Sequence, residues 1–335
     1  MSRVAVVGGG TSPEHAVSLA SAAAAVSALA SAGHEPVPLT IDRDGCWLDR
    51  GRRPLGLAGA VHVLRSCDVV LPMLHGRGGE DGALAALCDL AAVPVVGSPL
   101  AAAATAMDKW LTKLVAAAIG VDVAPGRLLG RAEDHGPAAE LLAQGPVVVK
   151  PVGAGSSLGV ARVDHVADLP GALAAAFALD DRVLVEQVVV GREVDVAVLG
   201  RPDGSREVPP LLEIRPPEDA APGVFDHATK YDGSARFLVP APLTPAESAA
   251  LRAAAVRVYD ALGCRGLARV DFFLTDAGPV LNEVNTIPGF TPHSQAPLMF
   301  AAGGLSYPDL VDRMVRDAVP GARRPHRAAR TVTPA

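Results

Sequence analysis

The 335-residue chain has few cysteines, and the four it has (Cys46, Cys67, Cys88, Cys264) are scattered. None forms a C-x-x-C pair, so zinc-knuckle and paired-redox motifs are excluded. Reduced thiols in a cytoplasmic protein are the expectation. No apolar run reaches the ~18 residues that span a bilayer. The opening residues, SRVAVVGGG, enter a strand directly and do not read as a signal peptide. No membrane partner is therefore expected. The body of the chain also lacks a basic cluster, and its net charge is -6 with pI near 5.8. A nucleic-acid partner is not expected either. The one dense basic run, Arg323 to Arg330, lies in a Pro- and Arg-containing tail over 320–335 that reads as disordered. No internal repeat is visible.

What is present can build large cores, since half the residues are apolar. The length suits two or three compact domains. Val4–Val7 is a short, fully apolar strand of the kind found in parallel sheets. A glycine run follows, then a helix from Glu14 to Ala32 stopped by Gly33, then a strand over Pro36–Ile41. Further apolar segments at Val61–Val63, Asp68–Leu71 and Val93–Val96 continue the alternation, which predicts a doubly wound α/β unit over residues 1–100. The glycine run lacks G-x-G-x-x-G, so a dinucleotide site is not expected. An Ala-rich helical region, Ala101 to Ala118, opens a small α+β unit over 101–187. Its other elements are strands at Val147–Lys150, Gly159–Val163 and Arg182–Val189 and a helix at Leu169–Leu179. The remainder, 188–319, reads as an antiparallel sheet with helices at Pro245–Leu262 and Tyr307–Ala318.

The most informative stretch is Arg269 to Thr291, RVDFFLTDAGPVLNEVNTIPGFT. It reads as a β-hairpin turning at Thr-Asp-Ala-Gly. Side chains alternate along a strand, so Arg269 and Asp271 share a face, as do Glu283 and Asn285. With the turn centred on Ala277, Asp271 opposes Glu283 and Arg269 opposes Asn285. Two opposed carboxylates repel, and a hard cation held by Asp271, Glu283 and Asn285 removes that cost. Mg2+ with nucleotide phosphates is the usual occupant of such a set. The plainer reading is a solvated hairpin edge.

Three other segments carry chemistry. In VVVKPVGAGSSLGVARV, Lys150 ends a strand, and the Gly/Ser loop after it can turn backbone N–H groups toward an anion. The order is not that of a P-loop. In LVEQVVVGRE, Glu186 and Glu193 suit either a nucleotide's adenine and ribose or a solvated surface. In LHGRGGEDG, four glycines surround His75, Arg77, Glu80 and Asp81 after a predicted strand, which favours a substrate site over a plain connection.

Taken together, GGTSPEHAVSLAS, LHGRGGEDG, MDKWLTK, VKPVGAGSSLGV, the Lys230-Tyr231 pair, ARVDFF, NEVNTIPGFTPHS and LSYPDLVDRMV resemble the D-alanine–D-alanine ligases of the ATP-grasp superfamily. The resemblance runs from Arg3 to about Ala318. It implies a three-domain ATP-grasp fold, α/β and α+β. An N-terminal Rossmann-like domain would precede two α+β subdomains that enclose ATP. It also implies two Mg2+ ions, for which Mn2+ can substitute, D-alanine as substrate, and a homodimer. The apolar helix Ala16–Ala32 would suit that interface or its own domain's core equally well.

Residue by residue, the resemblance implies that Lys109, Lys150, Gly155, Ser157, Glu186, Glu193 and Lys230 bind ATP. Asp271, Glu283 and Asn285 would hold magnesium. Glu14 would hold the ammonium of the first D-alanine, with His75 nearby. Ser156 and Tyr231 would join Glu14 to order the loop. Ser294 would bind the second D-alanine, and Gln295 would adjoin that pocket. Arg269, with the backbone around Gly289, would stabilise the oxyanion. The implied activity is D-alanyl-D-alanine formation for peptidoglycan synthesis. Ala16, Pro292 and Gln295 depart from the family's usual residues, and they leave a second reading open. That reading is a paralogous dipeptide ligase taking D-serine, D-lactate or another amino acid.

Overall fold

The computed structural model describes residues 1–131, 135–215 and 236–319. Lys230 and Tyr231 lie outside these residues, as does the 320–335 tail.

The first sheet comes from β1 (Arg3–Gly9), β2 (Glu35–Ile41), β3 (Trp47–Leu48) and β4 (Val69–Pro72). Its order is β3-β2-β1-β4, with β2, β1 and β4 parallel. Val4 to Val7 are fully buried. That is why this strand is a continuous apolar run rather than an alternating one. One sheet face packs on α2 (Gly56–Arg65) and α3 (Ala83–Leu90), where Ala5, Val7, Leu64, Leu74 and Cys88 meet. The other packs on α1 (His15–Ser31). Its core is completed by residues from the far end of the chain, among them Phe300, Leu310 and Met314.

Helices α4 (Leu100–Met107) and α5 (Lys109–Ala118) lead to β5 (Asp122–Val123). The region was expected to hold one helical run. It breaks at Asp108, which is extended (ψ 100°), and whose carboxylate accepts the Leu111 N–H at 2.9 Å to cap α5. A second, antiparallel sheet follows, made of β6 (Gly126–Gly130), β7 (Val147–Pro151), β8 (Ala161–Val163) and β9 (Arg182–Gln187) in the order β6-β9-β7-β8. Helices α6 (Gly136–Leu142) and α7 (Leu169–Phe177) supply its apolar partners.

The third sheet holds β10 (Arg192–Gly200), β11 (Arg206–Glu207), β12 (Leu212–Arg215), β13 (Arg236–Leu238), β14 (Leu267–Thr275) and β15 (Gly278–Asn285). The order is β13-β12-β10-β14-β15-β5, with β11 on β10. Helix α8 (Pro245–Leu262) crosses one face. It starts on a Thr244/Glu247 capping box and ends at left-handed Gly263. Val194, Val196, Val198, Val270 and Phe272 pack with Leu251, Val258 and Tyr259 on that side. The intervening residues, Asp195, Arg269 and Asp271, therefore face the other way. Helices α9 (Gln295–Ala302) and α10 (Tyr307–Ala318) close the chain against the first sheet.

Two expected strands are absent. Val61–Val63 lies inside α2, because a three-residue apolar run carries no periodicity to separate strand from helix. Val93–Val96 contributes only an isolated parallel bridge, Val95 to Val70.

The hairpin pairs as expected, Asp271 with Glu283 and Arg269 with Asn285, but by a different route. Its turn is the two residues between Thr275 and Gly278, and the register then shifts between Asp271 and Phe272. Asn282 is the extra residue of this bulge. It lets Leu281, paired with Phe272, face α8 while Glu283, only two positions on, faces the opposite side. Deleting Asn282 should put either Leu281 or Glu283 on the wrong face, at a cost of roughly 2–5 kcal/mol. A thermal melt of the deletion variant checks this, and a wild-type melting temperature would show that the bulge does not set the facing.

Candidate active site

The alternation on β14 builds the centre of the site. Arg269 Nε and Nη2 donate to the two oxygens of Asp271, both at 2.7 Å, and Nη1 donates to Gln295 Oε1 at 2.7 Å. Asp195 Oδ2, on fully buried Asp195 of β10, lies 3.3 Å from Nε. Asn285 Nδ2 donates to Asp271 Oδ2 at 2.9 Å. Burial of Arg269 works against its charge, but the pull of Asp271 and Asp195 more than offsets this and drives its pKa well above the ordinary value. The guanidinium is thus a fixed cation in a mostly dry wall.

Around it stand Asp271, Glu283 and Asn285. Among the described residues no group of three or more His, Cys, Asp or Glu side chains is placed to hold a metal alone. Two carboxylates and an amide on one strand-pair face suit a hard ion whose other ligands are phosphate oxygens and water. Lys109 Nζ lies 3.5 Å from Glu283 Oε2 and donates to Ala154 O at 2.7 Å. One lysine thereby joins the carboxylate face to the glycine-rich loop.

Across the cleft, the second sheet presents Lys150 and Glu186, both buried and ion-paired with each other. They are cross-strand neighbours on β7 and β9, where Lys150 pairs with Leu184 and Val148 with Glu186. Glu193 is the second residue of β10, opposite Phe273 and Ile214.

The loop after β7 reaches the N-terminal sheet. Ser156 Oγ donates to Glu14 Oε1. A Cβ on Gly155 would sit 2.8 Å from Glu14 Oε2, and one on Gly76 would sit 2.9 Å from the same atom. A side chain at either position would push the Glu14 carboxylate aside, and at Gly76 (φ 71°) it would also strain the backbone. Ser156 (φ 51°) and Ser157 (φ 56°) are consecutive non-glycine residues in the left-handed region, a strained conformation held by the loop's contacts. At the loop's base, Gly153 N–H donates to Asp180 Oδ2 at 2.8 Å.

His75, also expected here, is buried, with both ring nitrogens engaged. Nδ1 is 2.8 Å from Ile287 O and Nε2 is 2.9 Å from Ser21 Oγ. Burial lowers its pKa despite the Ile287 carbonyl and nearby Glu14, so the ring is neutral at pH 7. It holds the segment after β15 in place rather than presenting a free nitrogen. Ser294 caps the start of α9 and accepts the Thr291 N–H at 3.0 Å, with Gly289 beside it.

Sequence reasoning placed Glu80 in a candidate substrate loop without a specific task and gave no role to Asp195, Lys113, Asp108, Arg182 or Ser21. Arg182 pairs with Asp108, so β9 anchors the cap of the helix that begins with Lys109. Ser21 accepts the Phe290 N–H at 3.2 Å as well as meeting His75. A signal existed for Ser18 and Ser21, polar residues three apart on an otherwise Ala-rich helix. None existed for Asp195, whose neighbours in sequence are ordinary strand residues.

Two sheets facing each other across paired lysines and carboxylates, with a glycine-rich loop between them, define an ATP-grasp protein. Models of the D-ala D-ala ligase N-terminus and C-terminus match residues 3–63 and 117–316. The chain belongs to the D-alanine–D-alanine ligase family. It is 42% identical to the D-alanine–D-alanine ligase of Nocardia farcinica over 95% of this chain and 97% of that one. Among solved structures it is similar to the VanG D-Ala:D-Ser ligase of Enterococcus faecalis (33% identity, TM-score 0.83, covering 95% of this chain and 99% of that one). It is also similar to the D-alanine–D-alanine ligase of Bacillus anthracis complexed with ATP (26% identity, TM-score 0.79, covering 96% and 99%). No helix among the described residues is long and apolar enough to cross a membrane.

Glu80 yields a pH-dependent prediction. Burial, then the charges of Glu14 and Glu283, raise its pKa to about 8, although the Gly76 N–H donates to it at 2.9 Å. The folded protein therefore keeps this proton from pH 4.5 to about 8 while the unfolded chain has lost it. This group's contribution to stability falls as pH rises through that window. Without metal or nucleotide, Glu80→Gln should gain melting temperature relative to wild type as pH rises from 4.5 to 8. A pH-independent difference would refute it.

Proposed function

We propose that this chain joins two D-alanines to D-alanyl-D-alanine at the expense of ATP, for peptidoglycan synthesis. The observation that carries the reading is the enclosure of Glu14 by the Gly155–Ser156 loop on the same side of the cleft as the Arg269–Asp271–Glu283 face. Glu14 is an ammonium-binding carboxylate, and Arg269 is a fixed cation beside the phosphate-binding face. An amino acid bound by its amine to Glu14 would direct its carboxylate toward that face. The names of the curated relatives favour D-alanine as second substrate, and nothing at the site argues specifically for D-serine or D-lactate.

A carboxylate is a poor electrophile because its leaving group would be oxide. Transfer of the ATP γ-phosphoryl group to one carboxylate oxygen releases ADP and gives an acylphosphate. The amine of a second D-alanine attacks its carbonyl carbon and loses a proton, and phosphate leaves as the amide forms. Both steps depend on positioning and charge neutralisation. Lys109, Lys150 and Lys230 would neutralise phosphates, Gly155 and Ser157 would line them, and Glu186 and Glu193 would hold the adenosine. Asp271, Glu283 and Asn285 would hold Mg2+ ions, which supply phosphate charge neutralisation when bound. Ser294 at the start of α9 would take the second substrate's carboxylate, aided by the helix N-terminus. Arg269, with the backbone near Gly289, would stabilise the oxyanion, and Gln295 would hold Arg269 rather than touch substrate. Tyr231 would join Glu14 and Ser156.

In the same reading the chain divides into three domains near residues 100 and 187, with β5 of the middle segment added to the edge of the third sheet. The protein would act in the cytoplasm as a homodimer. The outer face of α1, with exposed Ala16, Ala20 and Ala23, is the candidate surface.

Phosphate release with ATP, Mg2+ and D-alanine, with mass spectrometry of the product, tests the assignment. One phosphate per D-Ala–D-Ala is expected, and release only with another amino-acid pair would move the substrate. Asp271→Asn should lower kcat by ~100-fold or more. Its melting temperature should fall as well, since Asp271 is the larger of the two charges that compensate buried Arg269 and only Asp195 remains. An unchanged kcat would remove Asp271 from the metal set.

A further inference from the structure

Lysine is scarce in this chain. There are four in 335 residues, Lys109, Lys113, Lys150 and Lys230, and arginine supplies the rest of the Lys+Arg total of 30. Three of the four belong to the phosphate-binding set proposed above. The fourth, Lys113, lies on α5 one turn beyond Lys109 and is only 4% exposed. A buried ammonium with no stated task is costly, so its partners are informative.

Lys113 Nζ lies 2.9 Å from Glu186 Oε2 and donates to Leu281 O at 3.2 Å. The other carboxylate oxygen, Glu186 Oε1, is held by Lys150, whose Nζ also lies 3.4 Å from Asn282 Oδ1. One buried carboxylate thus stands between two lysine amines; burial, aided by Lys150, lowers the pKa of Lys113, and the pull of Glu186 opposes this. Burial opposes the charge on Glu186, yet the pull of Lys113 and Lys150 holds its pKa below the usual carboxylate value. Lys113 is tied to β15 by the Leu281 carbonyl. Lys150 ends β7 at the edge of the glycine-rich loop, where a phosphate would arrive.

We propose that Lys113 is the resident counter-ion of Glu186, a positioning residue whose ion pair frees Lys150 to leave that carboxylate for a nucleotide phosphate. With a single lysine, moving it to phosphate would strand a buried carboxylate, and the cost would be charged against ATP affinity. With Lys113 in place, Glu186 stays ionised and remains an acceptor for the amino group of adenine. The inference rests on the reading of Lys150 and Glu186 as ATP ligands.

The test measures ATP binding by calorimetry with Mg2+ and no D-alanine, together with KM for each substrate and the melting temperature. Lys113→Met should weaken ATP binding and raise KM for ATP by ~10- to 100-fold, the loss of one charge-assisted interaction. KM for D-alanine should stay within about twofold. Adding Glu186→Gln to Lys113→Met should recover part of the ATP binding, because a neutral amide needs no counter-ion. If Lys113→Met alone fails to fold, the double variant is compared with Glu186→Gln, and the two should bind ATP alike. The inference is overturned if Lys113→Met binds ATP normally while Lys150→Met does not. It is also overturned if both substrates lose affinity together and the double variant recovers nothing, or if the double variant binds ATP worse than Glu186→Gln. Normal ATP binding by Lys150→Met would instead sink the phosphate reading, and this inference with it.

Discussion

A buried guanidinium cannot be left without partners, and the fork between Arg269 and Asp271 is the contact around which the third sheet is arranged. Strand alternation sends Val270 and Phe272 into the core under α8 and Arg269 and Asp271 out of it. The neighbouring strand must then place Asp195, and no apolar residue, opposite Asp271. The first residue of α9 must carry an acceptor for the remaining edge, which Gln295 supplies. Removing one partner would leave charge uncompensated in a low-dielectric wall, so these positions are constrained together rather than singly.

The second theme is that the cleft is assembled from segments far apart in sequence, held to one another by polar contacts. His75 links the first sheet to Ile287, and Ser21 links α1 to Phe290. Ser156 links the loop of the second sheet to Glu14. Arg182 and Asp108 link β9 to the start of α5. Neutral hydroxyls and a neutral imidazole suffice for most of this, since the partners are carbonyls and N–H groups.

Much of this was legible in the sequence, for reasons tied to particular residues. The hairpin faces followed from period-two alternation, and the long helices at Pro245 and Tyr307 both carry proline in their first turn, Pro245 after Thr244 and Pro308 after Ser306-Tyr307. The contact between Ser156 and Glu14 was expected only from the family resemblance, and the close approach of Gly76 and Gly155 to that carboxylate was not read from the sequence. The bulge at Asn282 was not legible, because a strand sequence does not mark which residue is the extra one. Nor was the pairing of Asp195 with Arg269, seventy-four residues apart in sequence, which only the β10–β14 register decides. The strand expected at Val61–Val63 failed because three apolar residues fit a helix face equally well.

The joint core of the first sheet bears on how the chain is made. Val4, Val6, Ala25, Leu29, Val69 and Leu71 share a cluster with Phe300, Leu310, Val311 and Met314. During synthesis the first hundred residues emerge with that apolar face uncovered, and it stays so until some two hundred more have followed. Domains usually condense in order as they leave the ribosome. Here the earliest sheet can close one side on α2 and α3 but only part of the other, on α1, and it must wait for the last helices before that side is sealed. The N-terminal segment is thus the first to start folding and the last to finish, with a sticky surface to shield in between.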